Sequence, residues 1–179
     1  MSRRKVIFPP AEYWTNPERN TVNFDPATAG DLRRAGAFIK HHAYSSREGM
    51  NAILTEALEV KRANQFIVGI LDTYDAIVPQ LVTQTGQTAM VQMVLRYAEG
   101  EHDVPEEWCR AARFLIAYGE GDHLKMDKTI RETDDVSPTI IALLDVYAWI
   151  LPTLHTPLGM SAIENGIRTL SGMEVEDSQ

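Results

Sequence analysis

SSREGMNAILTEALEVKRANQFIVGILDTYDAIVP, residues 45–79, is the stretch on which the fold turns. Within it Ile53, Ala57, Val60, Asn64, Ile67, Leu71, Tyr74 and Val78 recur at alternating spacings of four and three. An apolar position every ~3.5 residues keeps one helical face turned toward a neighbour along its whole length. The spacing predicts one long helix, the spine of an all-α fold. Ser45-Ser46-Arg47-Glu48 opens it as a capping box, serine with glutamate three residues on. Pro79 is expected to end or kink it. Asn64 is the one polar residue of the seam, and a buried amide there fixes helix register at some cost in stability.

Upstream, Asp25-Pro26 reads as an N-cap followed by proline at the first helical position, and Leu32, Ala35, Ile39 and Ala43 continue a helical stripe. Residues 1–27 differ. Prolines 9, 10, 17 and 26 exclude regular helix, yet Val6, Ile7, Phe8, Tyr13, Trp14, Val22 and Phe24 are too apolar for a free linker. They are expected to form an extended arm lying on a surface, and a neighbouring copy is the favoured one.

Downstream, a helix is predicted from Thr88 to Glu99, stopped by Gly100, and another from Asp103-Val104-Pro105 to Gly119. Asp122 caps a shorter one reaching about Thr133; Ser137-Pro138 opens one ending near Leu151; Thr156-Pro157 opens the last, stopped at Gly172. No stretch alternates with the period of two that marks a strand. The expected architecture is a single helical-bundle domain of six or seven helices over 28–172, preceded by the arm (1–27) and followed by an acidic tail (173–179).

The chain has 179 residues, 44% of them hydrophobic and 23% charged, an ordinary composition for a single folded core. Its net charge of −8 argues against nucleic acid as a partner. The acid is concentrated, with eleven Asp/Glu against five Lys/Arg in 99–135. That face keeps the protein soluble or meets a basic protein partner. One cysteine excludes an internal disulfide and favours a cytoplasmic or other intracellular location. The basic start runs into two prolines after three apolar residues, which is not a signal peptide. The apolar stretch 139–155 holds Asp145 and Pro152 and is shorter than the ~20 residues a bilayer crossing needs, so no membrane span is expected.

Two hexapeptides repeat: Tyr97-Ala98-Glu99-Gly100-Glu101-His102 and Tyr118-Gly119-Glu120-Gly121-Asp122-His123. Each carries Glu-x-x-His, which in di-iron helical bundles sends both side chains into the core from mid-helix. Glu99, His102, Glu120 and His123 are therefore candidate ligands for iron or another divalent metal, with Glu56 or Glu59 in support. Glycine inside each motif favours the other reading, that the repeats mark helix ends and no cofactor is bound. A weaker constellation is His42, His102-Asp103 and Asp127 or Asp145, the letters of metal phosphohydrolases; there Asp103 is better used as a helix cap. His41-His42 suits the negative end of a helix. Cys109, with Arg110 and Arg113 nearby, lacks an assignable base and reads as a buried structural residue. Residues 108–133 have the spacing of an αα-hairpin, too little for a repeat array.

Residues 76–95 carry no charge and 136–163 only Asp145. A helix without a charged stripe is enclosed on several sides, either by its own domain or by a second subunit. These features point to a non-catalytic, self-associating structural or adaptor protein. By analogy alone, an apolar arm on a helical body suits a subunit of a ring or shell, such as a viral connector within a virion. The interface candidates are Val6, Phe8, Trp14, Tyr147, Trp149 and Leu151. The alternative is a metal-dependent, di-iron-like enzyme using the two Glu-x-x-His copies.

Overall fold

The computed structural model describes residues 25–175, apart from the side chains at positions 63, 64, 102, 174 and 175. The expected arm with Val6, Phe8 and Trp14, the Asn64 amide and the end of the acidic tail lie outside the described residues. The fold is all-α. Eight α-helices are present among the described residues: α1 Pro26–Ala43, α2 Arg47–Glu59, α3 Ala63–Leu81, α4 Gln84–Ala98, α5 Glu106–Glu120, α6 His123–Arg131, α7 Ser137–Ile150 and α8 Pro157–Val175. Short 3-10 turns at Glu101–Asp103 and Pro152–His155 join two of the connections. The helices gather into two compact units, α1–α3 with α8, and Val82–Leu154.

The expected spine is two helices. Val60-Lys61-Arg62 breaks it, with Lys61 at φ +56. The Lys61 amide donates to the Leu58 carbonyl at 3.0 Å and the Arg62 amide to the Ala57 carbonyl at 3.1 Å. Those two bonds form a Schellman motif, with lysine where glycine is usual. Periodicity does not register this break because the apolar spacing passes through it undisturbed. Of the expected seam, Ala57, Leu71 and Tyr74 are buried, Ile67 and Val78 are half-buried with Phe66, Ile70 and Ile77 buried beside them, and Val60 stays 45% exposed. The second expected cap moves by one residue. Ser46, not Ser45, accepts the amide of the third residue on, Gly49 at 3.3 Å, while Ser45 sits at φ +54 ending α1.

In the first unit α1 is central, packing against α2, α3 and α8. Asp25 caps it, accepting from the Thr28 amide at 3.0 Å and the Thr28 hydroxyl at 2.6 Å. Leu32, Ala35 and Ile39 of the expected stripe are buried and Ala43 is half-buried, while Phe38, buried beside them, meets Phe66 edge-to-face at 5.3 Å. Close helix approach depends on missing side chains. A Cβ on Gly69 would lie 3.3 Å from the Asp31 carbonyl oxygen, and one on Gly36 3.0 Å from Ile167.

In the second unit α7 is the core helix. Thr139, Ile140, Ala142, Leu143, Leu144, Val146, Tyr147 and Ile150 are all buried, so the shortage of charge on this helix, which carries only Asp145, is explained within its own unit. It packs on α5, which in turn meets α4 and α6. The helix expected to begin at Thr88 begins four residues earlier. α3 continues through Pro79 to Leu81, and α4 starts at Gln84 with Thr83 as its cap, accepting from the Gly86 amide at 3.3 Å. α8 extends past Gly172 to Val175, which places the start of the expected tail in a helix.

Candidate functional site

The twin hexapeptides end helices. Glu99 is the C-terminal cap of α4, and Gly100 follows at φ +76; Glu120 is the last residue of α5, and Gly121 follows at φ +67. No atom lies within 4 Å of a Cβ built on either glycine, so backbone conformation and not crowding demands them. His102 falls in the 3-10 turn and His123 is the first residue of α6. Each glutamate thus ends one element while its histidine belongs to the next, which removes the mid-helix i, i+3 projection of the di-iron motif. Glu120 accepts from Lys125 Nζ at 2.8 Å. Among the described residues no three His, Cys, Asp or Glu side chains gather in a group fit to hold a metal ion.

The neighbouring carboxylates have structural partners. Asp122 caps α6, and its hydrogen bond from the Lys125 amide at 3.0 Å holds its carboxyl below the usual carboxylate range. Glu101 pairs with Arg96 at 2.6 Å. Asp103 is not the cap of α5: it lies at φ +52 in the 3-10 turn, and Pro105 precedes the helix without a side-chain cap. Asp127 is exposed on α6, whereas His42 and Asp145 are half-buried on α1 and α7. Cys109 is buried. The arginines beside it are engaged elsewhere: Arg110 donates to Thr139 at 3.3 Å, and Arg113 pairs with Glu106 at 2.7 Å and Glu132 at 3.4 Å. His41 lies over Gly49, where an added Cβ would meet the imidazole.

Of the interface candidates on α7 and just after it, Tyr147 and Leu151 are buried within the chain. Trp149 is 68% exposed, far more than Ile141 at 37%, the other large side chain that this core helix turns outward. It stands edge-to-face on Trp108 at 6.4 Å, and Trp108 meets Tyr97 at 5.8 Å. The exposed indole is thereby held on a ladder of rings from α7 through α5 to α4. On α4 itself Val91 is 57% exposed, and Met93 and Leu95 also face outward.

Sequence reasoning missed an ion network in the first unit. Asp31 and Arg34, 3% and 4% exposed, pair through Oδ1 and Nη2 at 2.9 Å. Arg62 reaches the other Asp31 oxygen through Nε at 2.7 Å and Nη2 at 2.5 Å. Glu56 of α2 receives Arg33 at 2.5 Å and Arg34 at 3.1 Å. Burial raises the Glu56 pKa, but the hydrogen bonds and charges of Arg33 and Arg34 outweigh it and leave the carboxyl below its usual range. The signal available in sequence was Asp31 and Arg34 at i, i+3 inside an apolar stripe. Thr28, Asp31, Arg62, Gln65 and Asp72 border a surface cleft of about 250 Å³ beside this network. Asp31 there is already satisfied by two guanidiniums.

No protein-family model, no curated protein and no solved structure matches this chain.

Proposed function

We propose that the chain is a non-catalytic, self-associating structural or adaptor protein that acts through protein–protein contacts inside the cell. The observation that carries this reading is the outward-facing Trp149, rigidly backed by Trp108 and Tyr97. Leaving so large an aromatic surface in water forfeits ~1.5–3 kcal/mol of burial, and tryptophan held on a rigid base is the commonest anchor of protein interfaces. Exposed Val91 and Leu95 in the same unit add apolar surface. The unit is acidic, so contact made there with a different protein favours a basic one. Among the described residues no helix is long and apolar enough to cross a membrane.

Native mass spectrometry of metal-repleted full-length protein tests the reading, because one spectrum reports subunit count and bound metal together. A metal-free dimer or ring supports self-association. A monomer carrying two irons contradicts it and points to an enzyme built on the Glu-x-x-His copies.

A further inference from the structure

α4 buries Met90, Val94 and Tyr97 and presents a second stripe to solvent: Gln84, Thr88, Val91 and Leu95, at spacings of four, three and four. All four are exposed. No charged residue occurs anywhere from 76 to 95, although a solvent-facing helix ordinarily carries a charged stripe. The stripe is therefore polar-neutral and apolar, regular, and free of the charges that would hold it in water.

We infer that this stripe is where two copies pair, α4 against antiparallel α4 across a two-fold axis. The inference rests on the self-association reading and names its surface. Three features select a second copy as the occupant. First, residues 82–154 hold twelve Asp/Glu against six Lys/Arg, so an acid-bearing face of this unit set against itself opposes like charges. The stripe from Gln84 to Leu95 does not, and charge depletion marks the core of an interface. Second, the four-three-four spacing is that of a seam between two helices. Third, the C-terminal end of α4 is net negative, because Arg96 is neutralised by Glu101 and Glu99 remains. Antiparallel pairing sets Thr88 opposite the partner's Val91 and Gln84 opposite the partner's Leu95. It also carries Glu99, exposed at the C-terminal end, toward the positively polarised start of the partner helix. Two-fold symmetry repeats that contact at the other end.

The seam from Gln84 to Leu95 is about 17 Å long, less than a standard interface offers, so pairing is expected to be reversible and concentration-dependent.

Sedimentation velocity of the full chain and two variants tests this. Val91→Glu buries an unpaired carboxylate in the seam and is expected to weaken pairing roughly tenfold or more while circular dichroism stays that of the wild type. Adding Thr88→Lys places an ammonium opposite each new carboxylate in the antiparallel register and within reach of the one on its own helix, so the double variant is expected to recover pairing. A folded Val91→Glu protein that pairs like the wild type overturns the inference, as does a double variant that stays monomeric. Trp149→Ala separates this result from the broader reading. Association lost with Trp149→Ala but kept with Val91→Glu leaves self-association standing on another surface, whereas a wild type monomeric throughout ends both.

Discussion

The two compact units place their charges differently. In the first, Asp31 and Arg34 are buried on the central helix, and Arg62 and Glu56 tie that helix to its neighbours. In the second, the central helix α7 buries a mainly apolar surface, and the ion pairs Arg113–Glu106, Arg96–Glu101 and Lys125–Glu120 sit at the surface. A buried charge owes its stability to its partner, whereas a surface charge has water as an alternative. Charges of the same kind therefore carry very different structural weight in the two units.

The largest expected effect follows directly. Asp31→Ala leaves Arg34 buried beside a vacancy and is expected to cost about 3–5 kcal/mol in urea denaturation. Glu106→Gln, which removes a surface partner of Arg113, is expected to cost no more than about 1 kcal/mol. Equal costs would mean that burial does not separate the two sets of charges. In the second unit the equivalent damage comes from an apolar deletion. Leu144→Ala, at a fully buried position of α7, is expected to cost about 2–5 kcal/mol through the cavity it opens.

Acid provides a gentler test. The Glu56 carboxyl is held below its usual range in the folded chain, so the stabilisation it contributes is complete above the ordinary carboxylate pKa and is lost as pH falls through the folded value. Denaturation midpoints are expected to fall as pH drops from about 5 toward 3, and Glu56→Gln to flatten part of that slope. An unchanged slope would remove Glu56 from the network's energetics. The smallest effect has the opposite sign. Lys61 occupies a left-handed position, and Lys61→Gly is expected to stabilise the chain by about 0.5–1 kcal/mol despite glycine's greater freedom when unfolded. A loss of stability would mean that the lysine side chain contributes more than its backbone costs.

The same contrast decides what was legible in the sequence. The second unit could largely be read because its boundaries are written in residues with strict backbone preferences. Gly100 and Gly121 end helices, the second two residues beyond the expected Gly119, Asp122 caps one, and the apolar run after Ser137-Pro138 announces a core helix. The first unit hid its main joint. Lys61 adopts a conformation that local preference assigns to glycine, and the bonds holding it there run from Arg62 and Lys61 back to Ala57 and Leu58. The Arg62–Asp31 pair spans thirty-one positions, a contact that no local pattern encodes. The interface candidates divided for a related reason. A helix whose one charge is Asp145 is buried on most sides, and sequence alone does not tell that Trp149 faces outward while Tyr147 is buried. The Glu-x-x-His copies were legible as helix ends because glycine sits inside each motif.

Self-association is the central claim, and sedimentation velocity of the wild-type chain from low to tens of micromolar tests it most directly. The expected result is a weight-average sedimentation coefficient that rises with concentration toward that of a dimer or larger assembly. A single monomeric boundary across the whole range would contradict the account.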